Sequence, residues 1–212
     1  MREILLIFLG WALGILSPSL IERIGRGNKK KQVRKILVNE MRDLKIRLVM
    51  MNFLIKLKVG GFNHDYLEWL KKCMAEYEGN EAIGRLKELL NKPELQIKEK
   101  IDQYLNDLNS NAKGGALSLR KMGTPILDSN ISVLDLLNSE QQTKIFELKY
   151  SLNVINEEIE TSNQFKMMTF DSSLTLENHE IVINEINNKN GRICEMSFQA
   201  AEKIDRFIKN AG

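Results

Sequence analysis

ILLIFLGWALGILSPSLIERIGRGNKKKQVRK, residues 4–35, is apolar for eighteen residues and then abruptly basic. Residues 4–21 carry no formal charge. As a helix they rise about 27 Å, close to the roughly 30 Å hydrocarbon thickness of a bilayer. Ser17, Pro18 and Ser19 weaken the stretch. Proline is tolerated in a membrane helix where hydroxyls or neighbouring helices satisfy the freed carbonyl. A cleavable leader is positive before its apolar run and small-residued after it. Here Arg2 is offset by Glu3, and the positive charges follow the run. A helix buried in a soluble core leaves that basic flank unexplained. The stretch therefore predicts one N-terminal transmembrane helix over residues 1–21, with a basic juxtamembrane segment over 22–35.

Charge is divided unevenly along the rest of the chain. Residues 22–58 hold twelve Lys and Arg against three acidic residues, a net +9. Residues 59–212 hold eighteen against twenty-four, a net −6. Positive flanks stay on the cytoplasmic side of a membrane. Arg23, Arg26, Lys29, Lys30, Lys31, Arg34 and Lys35 thus predict a cell-membrane protein with its N-terminus outside and its larger part in the cytoplasm. Two cysteines, Cys73 and Cys194, are too few for a disulfide framework and fit a reducing compartment.

Two sets of contact residues follow. Lys29, Lys30, Lys31, Arg34 and Lys35 are placed to meet anionic headgroups, at about 1 kcal/mol each. Gly10 and Gly14, four residues apart, offer a flat stripe for close approach of a second membrane helix and hence a route to a homo-oligomer. A basic helix also tracks nucleic-acid phosphates. Membrane proximity and the lack of interleaved aromatics argue against that partner here.

Residues 36–212 read as an all-α, antiparallel helical bundle. Val33, Leu37, Leu44, Leu48, Met51 and Ile55 keep to one face of a long helix over 28–58. Gly60-Gly61 stops it. Asn63 or Asp65 caps a second helix with Tyr66, Leu70, Cys73 and Tyr77 as its stripe. Gly79-Asn80 breaks the pattern again. Ile83, Leu86 and Leu90 mark a third helix, and Ile97, Ile101, Leu105 and Leu108 a fourth whose first turn holds Pro93. Residues 109–138 lose the period and predict a long irregular connection, with helical turns near 116–121 and 133–137. Residues 124–133 are a weak strand candidate. Ser139 with Gln142 suits a capping box, and Ile145, Leu148, Leu152, Ile155 and Ile159 form a coiled-coil-like seam. Asp171 and its serines make a turn into a final helix, through Val182, Ile186, Ile193, Met196, Ala200, Ile204 and Phe207, with a kink site at Asn187–Gly191. Two long helices with a short link lie antiparallel, so 139–209 predicts a helical hairpin.

Chemistry is sparse. His64 and His179 lack a Cys, Asp or Glu at ligand spacing, so no metal is expected. Lys113-Gly114-Gly115 lacks the spacing of a phosphate loop, and Cys73 sits on an apolar stripe as a buried thiol does. Glu157, Glu158 and Glu160 read as a solvated surface. No cofactor and no catalytic residue is implied. The expectation is a non-enzymatic tether or scaffold that presents the bundle, and the 109–138 connection, to a protein partner. The alternatives are an accessory subunit of a membrane transport, secretion or defence complex, and an enzyme whose site is not legible.

Overall fold

A computed structural model describes the backbone of residues 2–75, 77, 81–111, 117–129, 131–171 and 173–211. Side chains are described from residue 27 onward, apart from 76, 78–82, 104, 107–116, 130–133, 172 and 211–212. Among the described residues all regular structure is helical. The order is α1 (Arg2–Val59), α2 (His64–Ala75), α3 (Glu81–Leu90), α4 (Glu94–Asn111), α5 (Pro125–Ser129), a 3-10 turn (Ile131–Leu136), α6 (Ser139–Met168) and α7 (Leu176–Ala211).

α1 is one unbroken helix of 58 residues. Residues 27–32 are solvated; from Val33 the helix enters the protein. Leu37, Met41, Leu44, Leu48, Met51 and Ile55 pack against α6, α7 and the 117–137 segment, as their spacing predicts. A second face, Ile46, Val49, Phe53 and Leu57, packs on α2, α3 and α4. The sequence reading assigned one apolar face to this helix. The structure gives it two, because two half-bundles share it as a wall. α7 runs antiparallel to α1. Arg34 donates to the Asn210 carbonyl at 3.4 Å, Lys45 pairs with Asp205 at 2.5 Å, and Asn52 meets Cys194 and Ser197.

Local chemistry sets the helix ends. Gly60 and Gly61 have φ of +82° and +91°, which other residues adopt only with strain, and the Gly60 N–H closes on the Lys56 carbonyl. Asn63, not Asp65, caps α2 by accepting from the Tyr66 N–H at 2.8 Å. Pro93 immediately precedes α4, and its carbonyl accepts from Ile97. The capping box of α6 lies one residue earlier than its sequence suggested: Asn138 caps, with Gln141 reaching back to it. Gly79, Asn80 and the side chain of Leu108 fall outside the described residues.

The connection after α4 departs most from expectation. Helical structure lies at Pro125–Ser129 and Ile131–Leu136; residues 117–121 are irregular, and nothing in 124–133 forms a strand. Glu40 of α1, 6% exposed, accepts from the Ile126 and Leu127 N–H at 2.7 and 3.1 Å, so a distant carboxylate caps this short helix. Asn156 of α6 clamps both backbone groups of Met122, accepting its N–H at 2.7 Å and donating to its carbonyl at 2.8 Å. Asn163 donates to the Leu119 carbonyl. Residues 117–129 are a strap bound across α1 and α6. Leu119, Leu127, Leu134 and Leu137 bury their side chains beneath it.

The C-terminal hairpin matches its pattern. Ile145, Leu148, Leu152, Ile155 and Ile159 are each at most 3% exposed. α7 is one continuous helix through Asn187–Gly191, where Asn190 is buried and accepts from the Ser162 hydroxyl at 3.3 Å. Glu158, expected on a solvated surface, is buried between Lys189 (2.9 Å) and Arg192 (2.7 Å). Glu157 and Glu160 are exposed. Cys73 and Cys194 are buried and free.

Replacement of Glu40 by alanine strands one buried and one part-buried backbone donor, at roughly 1.5–3 kcal/mol for bonds to a charged acceptor. Urea denaturation of Glu40→Ala is expected to show a loss of about 3 kcal/mol, and the Leu127 amide to lose its protection from hydrogen exchange. Wild-type exchange at Leu127 in that variant, with unchanged stability, would remove Glu40 as the cap.

Candidate functional site

The candidate surfaces lie at opposite ends of the bundle. At one end stand the basic residues ahead of the core. Lys29, Lys30, Lys31 and Lys35 are exposed; Arg34 is half-buried against the C-terminal end of α7. The structure thus keeps four of the five predicted headgroup contacts solvated and ties the fifth to the protein. Gly10 and Gly14 lie outside the residues whose side chains are described. Among the described residues no helix is long and apolar enough to cross a membrane. Residues 4–21, on which the membrane reading rests, have no described side chains.

At the other end the α6–α7 hairpin runs past α1. Val59, near the end of α1, shares a cavity wall with Gly191. The fifteen residue steps from Leu176 to Gly191 extend α7 about 22 Å beyond that level. Lys58 titrates below its ordinary range, first because it is partly buried and second because Lys166 lies close. Beyond Lys166 the hairpin end exposes Met167 (69%), Phe170 (71%) and Leu176 (89%), with Met168, Ile181 and Ile183 also open. Large apolar side chains grouped at one exposed end are the informative departure from ordinary surfaces. Residues 163–188 also carry four carboxylates, Asp171, Glu177, Glu180 and Glu185, against Lys166. Asp171 accepts from the Ser173 N–H and hydroxyl at 2.9 and 2.7 Å, which shapes the turn and lowers the Asp171 pKa.

Read from the sequence, the apolar seam of α6 ends at Ile159, and the apolar residues that follow it have no assigned role. The available signal was the pattern itself. Met167, Met168, Phe170, Leu174 and Leu176 cluster where the link between two antiparallel helices is ordinarily polar.

A third feature sits between the ends, where α1, α2 and α7 meet. An aromatic chain runs Phe53, Phe62, Tyr66, Trp69, Phe198, with successive ring centroids at 6.0, 5.6, 5.6 and 4.7 Å. The Lys56 ammonium stands 5.7 Å from the Tyr66 centroid, and Trp69 Nε1 donates to Glu202 at 3.1 Å. Burial raises the Tyr66 hydroxyl above its ordinary value and pushes the Cys73 thiol up to about 12, so neither ionises near neutrality. Among the described residues no group of three His, Cys, Asp or Glu side chains is gathered as a metal would need.

His64 is the first residue of α2 and Glu94 the first of α4; His64 Nδ1 lies 2.9 Å from Glu94 Oε2. Lys98 also contacts Glu94, at 2.7 Å. No protein-family model, curated protein or solved structure matches the chain.

The hydrogen bond to Glu94 raises the His64 pKa above 6.5, and the Lys98 and His64 contacts lower that of Glu94 below 4.5. A raised imidazole contributes stability below its unfolded value and loses it as pH climbs through the folded one. A lowered carboxyl contributes above its unfolded value and loses it as pH falls. The α2–α4 link is therefore firmest between about 4.5 and 6.5 and weakens on either side. NMR titration is expected to place the His64 midpoint above 6.5, and Glu94→Gln to lower it. An identical midpoint in that variant would dissolve the pair.

Proposed function

We propose that this protein is a membrane-tethered adaptor, anchored by residues 1–21, which holds its helical bundle on the cytoplasmic face and offers the hairpin end to a protein partner. The partner segment is apolar and basic. The observation that carries the reading is the exposure of Met167, Phe170 and Leu176 together at the end remote from the basic collar. Apolar side chains there match an apolar counterpart, and the net −3 of residues 163–188 favours a cationic one.

The division of charge supports the same orientation. The collar residues Lys29, Lys30, Lys31, Arg34 and Lys35 favour contact with an anionic leaflet, and the acidic hairpin end is repelled by it. That repulsion fades within a Debye length of about 10 Å. Residues 27–59 of α1 alone extend about 48 Å, so the hairpin end stands clear of the surface and faces solution. A continuous α1 supports transmission of one fixed orientation from the anchor to the bundle. The pinned strap over 117–129 makes that connection a weaker candidate for the presented surface than the hairpin end.

Two measurements test this. The full-length chain is expected to remain in the membrane pellet after alkaline carbonate washing, and its release would remove the anchor. A photo-crosslinking residue at position 170 in intact cells is expected to label one protein through a basic, apolar segment, with labelling lost in Leu176→Glu while the melting temperature of the bundle stays unchanged. Labelling of a second copy of this chain, of lipid alone, or equal labelling from position 150 on the flank of α6 would overturn the docking reading.

A further inference from the structure

Two open cavities share α1 between them. One, of about 600 Å³, takes α1 from Asp43 to Leu54 and is walled by Ile83 of α3 and by residues 118–122 of the strap. The other, of about 540 Å³, takes α1 from Phe53 to Leu57 and is walled by Leu86 and Leu89 of α3 and Ile101 of α4. Leu54 lines both and is 40% exposed. From Asp43 to Leu57 this trough follows α1 for about 21 Å. Met50, Leu54 and Leu57 succeed one another at spacings of four and three, which sets them in one row along the helix. A lone exposed leucine is ordinary on a surface. This one lies in a walled, apolar depression.

The walls are cationic. Arg47, Arg85, Lys100, Arg120 and Lys121 line the two cavities against one carboxylate, Asp43. Asp43 lies 3.9 Å from Arg47, and Lys121 pairs with Glu160 of α6. Lys100 donates to Gln103, and among the described residues neither it nor Arg120 has a carboxylate partner. Glu88, Glu99 and Asp102 belong to the same helices but do not line the cavities. Four of the five cations come from residues 59–212, which are net −6. The positive charge is thus gathered at the trough against the balance of its surroundings.

We propose that this trough binds an amphipathic helix of another protein, apolar along one face and acidic along its flanks. A helix laid in a groove uses anchors at i, i+3 or i+4, and i+7, the spacing that the α1 row itself presents. The length of the trough takes about fourteen helical residues. Acidic flanks then meet Arg85 and Lys100 at one end and Arg120 and Lys121 at the other. An anionic leaflet does not reach the site: Leu54 lies about 35 Å along α1 from Lys31, several Debye lengths. A second copy has an acidic, apolar segment at its hairpin end. Copies anchored side by side carry that end about 22 Å or more above the trough. The choice of another protein over lipid or a second copy rests on the anchored orientation proposed above; the binding itself does not.

The test uses the full chain in phosphatidylcholine nanodiscs, or free in buffer should it not insert. The probe is a fluorescein-labelled helical peptide with leucine at i, i+4, i+7 and i+11, glutamate on both flanks and alanine elsewhere. A saturable one-to-one rise in anisotropy is expected. Lys100→Glu combined with Arg120→Glu is expected to weaken binding about tenfold or more, and Leu54→Glu to abolish it, with helical circular dichroism unchanged. Lys30→Glu combined with Lys31→Glu is expected to bind as the parent does, which separates the trough from the basic collar. No saturation, parental affinity after both wall reversals, or loss of binding in the collar variant overturns the proposal. So does a peptide of residues 174–188 of this chain that binds at least as tightly, since it gives the trough to a second copy. Lys100 and Arg120 are exposed, so the wall variant decides the case even where Leu54→Glu fails to fold. Loss of peptide binding leaves the anchor untouched, because carbonate washing reads that separately.

Discussion

Burial of α1 on two faces is the constraint from which the rest of the structure follows. Met41, Leu44, Leu48 and Val49 are fully enclosed, and no single partner helix encloses a helix on both sides. One face requires the α6–α7 hairpin and the strap; the other requires α2, α3 and α4. A helix that is apolar around most of its circumference specifies a central position. Polar groups then set its register. Lys45 with Asp205 and Asn52 with Ser197 are buried matches between α1 and α7 that a slipped pairing would leave unmade. Buried ion pairs contribute little net stability against apolar replacements, and register is the better-attested role for them.

The strap shows how irregular backbone becomes ordered without a ladder of its own. Residues 117–124 have no regular structure. Their peptide groups are satisfied by side chains instead: Asn156 on both groups of Met122, Asn163 on Leu119, Arg47 on Gly123. Glu40 performs the same service for α5. Buried backbone groups must be paired, and helices that have already spent their own groups on themselves supply partners only through side chains. Asparagine, with donor and acceptor on one short arm, serves both groups of a peptide at once.

The molecule is polar in the mechanical sense. Its basic collar and its apolar, acidic hairpin end lie at opposite limits of the same antiparallel pair, and the aromatic cavity lies between them where α1 stops. Gly60 and Gly61 end α1 there, which lets α2 fold back and bring Tyr66 and Trp69 against Phe198 of α7. The cavity and the free length of the hairpin thus share a cause. Once α1 ends, α7 has lost one of its neighbours.

Helical class, the stop at Gly60-Gly61, a cap at Asn63 or Asp65 and the Ile145-to-Ile159 seam were all legible in the chain, because each depends on residues within a few positions of one another; the choice of Asn63 came from the structure. Helix periodicity, capping and positive φ are local properties. The second face of α1 was partly legible: Ile46, Val49, Phe53 and Leu57 are apolar in the sequence, but their partners were needed to show that they are inside. The roles of Glu40, Asn156 and Asn52 were not legible. Their hydrogen-bond partners lie 86, 34 and as many as 145 residues away, and nothing local distinguishes such a side chain from a solvated one. Glu158 was misread for the same reason, since Lys189 and Arg192 reach it from the other arm of the hairpin. By itself the sequence determined the long helices, α1 to α4, α6 and α7, but not α5, whose cap is supplied by the distant Glu40. The tertiary structure alone decided which polar groups are buried, which are left unpaired, and which apolar residues stay outside, because those depend on what the fold brings alongside.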